Sequence, residues 1–511
     1  MPNGYNTSKN RKQFFQHPIL IKIMELEYLK KKIEEEDYKT IIGKIISSKP
    51  DYPTDAVKMY DLTNHEVMSS AIRKRRKIKR TSLGLDGQTI IGENGQPKTV
   101  EEEIEVVRVP LALQKYIVEG RRDMMLTNPV ELDASAEEEA DKSFYKAIAA
   151  VWGVMKVDYE LKEIAVRQMS ECEVAVMLST ENAPDGYWDG TDLQGASKRI
   201  RFNILKSNEG TSLYPVYDRY GDMIAFCRNH KVKDDETDKE IHYFDIYTAE
   251  TNYYLAENAG GWAIIKRDTN IDGKIPIVYF PQKEVEWADQ SLMINRTEFI
   301  VSNLGEANDR SAFPMLLLKA DAIESLPMID DTGKGIQLSG AGAGASYLET
   351  TGKPESIEME YDTLMQNIHQ FSGSIDYNSL HQFFGSAPSG YAIKLLFQNA
   401  HMKAAAKEGD FGKNLQRLVN LLKSLVAGIQ PGMKAQKNLP IKPVFTLYVP
   451  KNPKEEVELL AAAKDAGLIS GETAALKCTL TKNPAAEWEK IKEENKNKVL
   501  TIVPPPEEKT A

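Results

Sequence analysis

One very long helical pattern constrains the fold of this chain more than any other sequence feature. From Ser389 to about Ala427, apolar residues recur at helical spacing. At 1.5 Å per residue, a straight helix of this length reaches roughly 55–60 Å. Gly409 and Gly412 lie inside the pattern and mark the expected position of a bend. The rest of the fold therefore has to be built around one extended helix.

The length, net charge and cysteine content of the chain argue against several classes of protein. With 511 residues, the chain is too long for one compact core. The formal net charge of −10 argues against tight, general binding to nucleic acid, because such binding depends on neutralising phosphates. The cysteines Cys172, Cys227 and Cys478 form no CxxC pair, and no apolar run is long enough for a signal peptide or a membrane span. These features predict a soluble, cytoplasmic product.

The first half of the chain predicts helices followed by an antiparallel sheet. Residues 13–48 have the spacing of one long helix or two, and Tyr145–Trp152 and Glu160–Met169 predict two more helices. Apolar residues between Ile104 and Val109 suggest a strand. From Ile200 to Phe280 the period changes to two, with Gly, Asn and Asp between short apolar runs, which is typical of a meander.

The second half is mainly helical, so the chain as a whole predicts an α+β fold. Leu292–Ser311 and Tyr361–Phe371 predict two helices on either side of a mixed, Gly-rich stretch, residues 312–360. Val444–Val449 suggests a last strand. Three short helices and a charged tail follow, and their expected caps and stop are Asn452, Ser470, Asn483 and Gly467.

No catalytic, metal or cofactor site is predicted. His65-Glu66 begins an HExxH pattern, but Ser69 stands where the second histidine would be. The stretch Gly333–Gly344 resembles a phosphate loop only superficially, because Lys334 is followed by Gly rather than by Ser or Thr. No GxSxG nucleophile elbow occurs.

One run of the chain is strongly basic. One interpretation is an electrostatic contact with DNA, scaffolding protein or capsid protein, and the other is a solvated helix face or linker, since charge runs are common. Ile78 alone interrupts the run, and no aromatic residue is present for base stacking. The basic side chains are Arg73, Lys74, Arg75, Arg76, Lys77, Lys79 and Arg80.

Several segments, taken in order, carry a resemblance to a known family. They are Val109–Val118 with Asn128–Val130, Tyr214–Asp218 continuing through Arg228, Gly273–Phe280, Ser389-Gly390 at the start of the long helix, and Lys464–Ala474 followed by Asn483-Pro484. Their joint order resembles the portal proteins of siphovirus-type tailed bacteriophages, over most of the chain. The Gly-Ala run at residues 340–344 and the basic run have no counterpart in that pattern.

The resemblance implies an α+β portal subunit that assembles as a closed ring of twelve copies. Short paired helices beside a Gly-rich excursion agree with this, because such helices need a surface to cover their apolar stripes and neighbouring copies supply it. The implied regions are an N-terminal region and wing (1–291), a first stem helix (292–311), a clip (312–360), a second stem helix (361–373), a tunnel loop (374–388), a long wing helix with a closing strand (389–450), a crown (451–495) and a tail (496–511).

The same resemblance implies a mechanical function without enzymatic activity or a cofactor. The ring would lie at one capsid vertex of the virion, after assembly in the host cytoplasm, and form the channel for packaging and ejection of double-stranded DNA. The implied partners are further copies of the chain, the terminase large subunit, the head-tail adaptor protein, and the major capsid and scaffolding proteins, with no membrane. The alternatives are another ring or adaptor protein of the virion and an enzyme acting on nucleic acid.

Two sets of functional side chains follow from the resemblance. Adaptor proteins would dock on clip residues Lys334, Gln337, Ser339 and Tyr347. The tunnel loop would present polar and aromatic groups to DNA, and the alternative is a buried loop with its two phenylalanines in the core. Its candidates are Asn378, His381, Gln382, Phe383, Phe384 and Ser386.

Overall fold

The computed structural model shows a mixture of helix (49%) and strand (23%), which confirms the α+β class. The structure describes residues 24–49, 54–82, 90–92, 94–207, 210–233, 238–270, 273–312, 316–319, 322–325, 337–340, 342–347, 354–377, 390–448, 453–478, 480–481 and 483–500.

The helices are of very unequal length. They are α1 (Leu26–Glu34), α2 (Tyr38–Ile46), α3 (Thr54–Lys58), α4 (Leu113–Leu126), α5 (Glu139–Val154), α6 (Val157–Glu171), α7 (Ser291–Ala312), α8 (Pro354–Ser372), α9 (Gly390–Ile429), α10 (Pro453–Asp465), α11 (Gly471–Lys477) and α12 (Pro484–Leu500). Short 3₁₀ segments are Leu62–Asn64, Glu66–Met68, Ala288–Gln290 and Pro431–Asn438.

The strands form one five-stranded sheet, one three-stranded sheet and several two-stranded pairs. They are β1 (Arg76–Thr81), β2 (Thr99–Ile104), β3 (Glu131–Ala134), β4 (Glu173–Asn182), β5 (Lys198–Leu205), β6 (Thr211–Tyr217), β7 (Met223–Lys233), β8 (Glu240–Thr248), β9 (Thr251–Asn258), β10 (Gly261–Thr269), β11 (Ile277–Pro281), β12 (Leu316–Lys319), β13 (Ala322–Ser325), β14 (Gln337–Ser339), β15 (Gly344–Tyr347) and β16 (Ile441–Val444).

The predicted meander is confirmed for residues 211–269, which form the five-stranded sheet of order β10-β9-β8-β7-β6, whereas β5 and β11 at the ends of the predicted range 200–280 belong to a second sheet. Alternation places Phe244 and Ile246 of β8 on the face that packs against the first two helices. There they meet Leu29 of α1 and Ile41 and Ile45 of α2, all of them fully buried. Each such side chain contributes about 1.5–3 kcal/mol on burial, so this face forms a substantial core.

Residues 13–48 contain two helices in their described part rather than one. The break falls at Glu36, which adopts φ of 55°, in the left-handed region that ends a helix. Lys32 of α1 donates to Glu35 at 2.9 Å and to Asp37 at 3.0 Å, so one side chain spans the break. Residues 13–23 lie outside the described residues.

A smaller sheet of order β11-β4-β5 packs on the other face of the meander. Phe226 and Tyr247 of the meander contact Ala175 of β4 and Tyr279 of β11 in this second core. The rings of Phe226 and Tyr279 lie 5.6 Å apart at a tilted angle, an arrangement that adds to the gain from area burial. The meander is thus covered on both faces.

The long helix is confirmed as α9, with 40 residues. Its later turns carry a buried stripe at intervals of three or four residues, formed by Phe411, Leu415, Leu418 and Leu422. The ring of Phe411 lies 5.3 Å from that of Phe280 at the end of β11. This stripe fastens the later part of α9 to the three-stranded sheet.

The chain divides into two compact units, residues 1–374 with 402–447, and residues 375–401 with 448–511. In the second unit the three predicted C-terminal helices are confirmed as α10 to α12. Ser470 accepts a hydrogen bond from the Thr473 amide at 3.1 Å, and Asn483 accepts one from the Ala486 amide at 3.1 Å, so both expected caps are present. Asn452 lies outside the described residues.

Three predicted boundaries are wrong. The strand expected at Val444–Val449 instead ends at Val444, because β16 pairs with β3, which is only four residues long. The strand expected between Ile104 and Val109 ends at Ile104. The helix expected from Tyr361 begins at Pro354, and proline is favoured in the first turn of a helix.

A buried titratable cluster lies within the meander. Asp245 of β8 accepts a hydrogen bond from the Tyr247 hydroxyl at 3.2 Å, and His230 Nδ1 lies 3.6 Å from its carboxylate. Burial raises the pKa of Asp245 to about 6, although Arg228 acts in the opposite direction. Burial also lowers the pKa of His230 to about 4. At neutral pH the buried carboxylate of Asp245 is therefore ionised, and this lowers the free energy of unfolding of the first unit.

We expect Asp245→Asn to stabilise the first unit by about 2–3 kcal/mol at pH 7.5 and by roughly half as much at pH 5, where the aspartate of the unfolded chain is still ionised. The folded pKa of Asp245 lies above its unfolded value, so the natural protein loses stability as pH rises from about 4, the unfolded pKa, to about 6, the folded pKa. Urea unfolding followed by tryptophan fluorescence at both pH values measures the difference. Asp238→Asn, at a carboxylate with 84% exposure, is the control. An equal gain at both pH values would contradict the assignment.

Candidate functional site

Helix α7 organises the polar contacts of the first unit. The extended segment 105–111 runs along it, and the amide of Val109 donates to Ser302 Oγ at 2.9 Å. The amide of Leu111 donates to Glu298 Oε1 at 2.8 Å. Side chains of α7 therefore accept the hydrogen bonds of backbone amides that would otherwise pair with a neighbouring strand. For this reason β2 ends at Ile104.

The innermost contact on α7 is a buried histidine–glutamate pair. Nδ1 of His65 lies 2.5 Å from Glu298 Oε1, and both side chains are at most 1% exposed. His65 Nε2 donates to the Met59 carbonyl at 2.9 Å. Burial, and then the charge of Glu298, raise the pKa of neighbouring Glu66. The incomplete HExxH pattern thus supplies a structural tie between the segment around His65 and α7.

Arg73, the first residue of the basic run, fastens the next segment to α7. Its guanidinium donates to the Val107 carbonyl at 2.8 Å, to Asn303 at 2.7 Å and to Glu306 at 2.7 Å, and its side chain is 9% exposed. At the same place Val107 packs so closely on Gly305 that a Cβ on the glycine would lie 2.9 Å from Val107 Cγ1. The close approach of segment 105–111 to α7 therefore requires glycine at position 305.

From Arg76 onward the basic run forms a strand, so the interpretation as a solvated helix face or linker is wrong for this part. β1 pairs antiparallel with β2, so Lys77 lies opposite Glu103 and Lys79 opposite Glu101. Both Lys–Glu distances are 3.8 Å, and every one of these side chains is more than half exposed. Arg75 pairs with Glu105 at 2.6 Å. Lys74 and Arg76 are exposed, and the side chain of Arg80 lies outside the described residues.

Helix α8 buries little of its surface. Among its described side chains only Ile368 and Ser372 are buried, and Met359 and Phe371 are 63% and 52% exposed. Its main tie to α7 is the pair Arg296–Glu360, with Nε–Oε1 and Nη2–Oε2 distances of 2.8 and 3.1 Å. A helix of 19 residues with so few buried residues gains little from its own subunit.

The C-terminal end of α8 is nevertheless held by a buried network. Arg121 of α4, 6% exposed, donates to the Ser372 carbonyl and lies 3.2 Å from Glu286 Oε1. Lys407 of α9 reaches the other oxygen of Glu286 at 3.2 Å and also contacts Gln282. One carboxylate thus joins α4, the end of α8 and the long helix.

The structure distributes the clip candidates over two small sheets. Gln337 and Ser339 lie on β14, which pairs with β13, and Tyr347 lies on β15, which pairs with β12. The four strands form nested hairpins. Lys334 lies outside the described residues, as do all the tunnel-loop candidates, Asn378, His381, Gln382, Phe383, Phe384 and Ser386. Both sets stay predictions.

The described residues hold no group of three or more His, Cys, Asp or Glu side chains placed to bind a metal ion. Burial raises the pKa of Cys172 to about 12 and raises that of Cys227 further, so both thiols stay protonated and unreactive. In the same part of the chain, no helix has the length and apolar character needed to cross a bilayer.

The first unit is thus an α+β fold in which buried polar contacts hold α7, while α8 leaves most of its described surface exposed. The sequence matches the family model described as "Phage portal protein, SPP1 Gp6-like" over residues 56–499. The chain therefore belongs to this family of phage portal proteins, which confirms the resemblance seen in its sequence. The family is structural and not enzymatic.

Solved structures show only distant likeness. A chain from "Virion of native gene transfer agent (GTA) particle" is 9% identical, with a TM-score of 0.35 over 73% of this chain and 89% of that one. One from "Neck of empty GTA particle computed with C6 symmetry" is 10% identical, with a TM-score of 0.38 over 73% and 90%. One from "Neck of native GTA particle computed with C12 symmetry" is 11% identical, with a TM-score of 0.36 over 73% and 89%. No curated protein matches the sequence.

Gly305→Ala should destabilise the first unit by about 1–2 kcal/mol, because the added methyl group overlaps Val107. Gly120→Ala is the matched control, since nothing lies within 4 Å of its added Cβ, and it should stabilise α4 by roughly 0.5–1 kcal/mol. Adding Val107→Ala to the first variant should recover most of the loss. Thermal unfolding midpoints give all three values, and stabilisation by Gly305→Ala would contradict the close approach.

Proposed function

We propose that this chain forms a closed ring of twelve identical subunits at one vertex of a phage capsid. The ring is the channel through which double-stranded DNA is packaged and later ejected. It docks the terminase large subunit during packaging and the head-tail adaptor protein afterwards, and it contacts the major capsid and scaffolding proteins. Family membership over residues 56–499 carries this proposal.

The exposed apolar residues of α7 and α8 support ring formation. Leu292 of α7 is 81% exposed, and Met359 and Phe371 of α8 are more than half exposed. Large apolar side chains grouped on a pair of helices are typical of a surface that another molecule covers. Identical copies arranged around an axis would present each pair to the next, and heterologous contacts of this kind close into rings.

The regional assignment follows the family. Residues 1–291 and 389–450 form the wing, α7 the first stem helix over 292–311, residues 312–360 the clip, residues 361–373 the second stem helix and residues 451–495 the crown. The helix that contains the second stem segment starts at Pro354. In the clip, the nested hairpins β12–β15 and β13–β14 would present Gln337, Ser339 and Tyr347 to an adaptor.

The tunnel loop, residues 374–388, would lie along the channel and begin at the point that Arg121 holds. Its polar residues would guide DNA without gripping it. Twelve copies at −10 each carry a formal charge of −120, from 12 × −10, and such a ring discourages DNA from adhering. The channel is then a low-friction passage, and the energy for packaging comes from the docked motor.

Negative-stain electron microscopy with class averages scored for rotational symmetry tests the ring. The natural protein should give end-on rings with twelve spokes and a central hole. A uniform monomer or dimer over a range of salt and protein concentrations would overturn the proposal.

Leu292→Ser with Met359→Ser should abolish these rings and leave the subunit folded, because both side chains are already exposed in the subunit. Tyr159→Ser with Tyr220→Ser is the matched control, with side chains that are 74% and 75% exposed away from the paired helices, and it should keep the rings. Circular dichroism checks the fold of both variants. Rings that persist in the first variant would show that this surface is not an interface.

A further inference from the structure

The two strands of the ribbon β1–β2 carry opposite charges. β1 presents Lys77 and Lys79 on one face of the ribbon, and β2 presents Glu101 and Glu103 on the same face. The residues of both strands are largely exposed. The ribbon therefore has one basic edge and one acidic edge.

These charges contribute little within the subunit. Lys–Glu pairs at 3.8 Å with more than half of each side chain exposed contribute about 0–1 kcal/mol each. A two-stranded ribbon alone is marginally stable in water. Within the part of the chain that the structure describes, β1 and β2 pair only with each other, so each has one edge without a partner strand there. The ribbon is thus suited to accept a further strand at either edge.

Charge decides which strand can be added. A β1 edge on another β1 edge would set lysine against lysine, and β2 on β2 would set glutamate against glutamate, and both arrangements are destabilising. Only a β1 edge on a β2 edge joins opposite charges. That pairing is heterologous, because the two surfaces differ, so it repeats from copy to copy instead of stopping at a dimer.

We propose that the β1 edge of each copy of this chain pairs antiparallel with the β2 edge of a second copy, so that the ribbons join into one continuous sheet through the assembly. In the register of the ribbon itself, Lys77 would then lie between two copies of Glu103, one from each chain. Arg73 fixes the base of the ribbon on α7, so every copy presents it in the same place. This inference rests on the proposed ring.

Subunit mixing tests the proposal. The full-length quadruple variant K77E/K79E/E101K/E103K exchanges the charges of the two edges, so it should assemble with itself as the natural chain does. A mixed contact would set like charges together on both strands. We expect copurification of the variant with a differently tagged natural chain, after coexpression, to fall about tenfold below that of two natural chains.

Cross-linking tests the register without changing the charge pattern as a whole. In a Cys478→Ser background, chains carrying only Lys77→Cys are mixed with chains carrying only Glu103→Cys during assembly and treated with a short thiol cross-linker. Covalent dimers should form in the mixture and not in either variant alone. This experiment decides the question if the quadruple variant fails to fold.

The outcomes separate this inference from the ring itself. Random mixing, or rings that yield no covalent dimers, would overturn the ribbon contact and leave the ring intact. The charged edges would then serve only to keep sheets apart. Absence of rings in the natural protein would overturn the ring and the ribbon contact together.

Discussion

The arrangement of the first unit depends on the buried carboxylate of Glu298. A buried carboxylate is costly unless hydrogen bonds and an opposite charge compensate it. Oε1 of Glu298 is hydrogen-bonded to His65 Nδ1 at 2.5 Å and to the amide of Leu111 at 2.8 Å, whereas its buried Oε2 has no hydrogen-bond partner among the described residues. Three distant segments therefore come together at this one oxygen on α7. Arg73 then holds the base of the ribbon against Glu306 of α7, and Arg296 of α7 pairs with Glu360 of α8. Parts that bury little of their own surface thereby acquire fixed positions.

Local periodicity was enough to predict much of the fold. The meander, the long helix and the C-terminal caps each follow from spacing within a short stretch of chain. The strand expected up to Val109 failed because its amide is bonded to Ser302, a partner that no local pattern indicates. The helix that begins at Pro354 could have been placed better, since proline at the first turn is a local signal.

The candidate site was predicted only where its contacts are formed between residues close in sequence. The basic run was visible from composition, and its true partner was local too, since the acidic residues Glu101–Glu105 follow it across the turn dipeptides Asp86-Gly87 and Asn94-Gly95. Matching the two runs would have predicted a charged hairpin. Arg121 and Glu298 carry no such signal, because nothing in the surrounding sequence distinguishes them from ordinary helix-surface charges. Their roles arise only when distant segments meet.

The contact between Arg121 and the last turn of α8 has an electrostatic consequence. The carbonyl groups at the end of a helix carry the negative pole of its dipole and lack partners within the helix. Arg121 brings a buried positive charge to the Ser372 carbonyl, so the stabilising cation at this pole belongs to α4 rather than to α8 or the residues after it. The end of α8 is therefore held from two sides, by the guanidinium of α4 and by Ser374, whose hydroxyl bonds His369 and Ser372 in the last turn. A change at Ser374 would loosen only one of these two attachments.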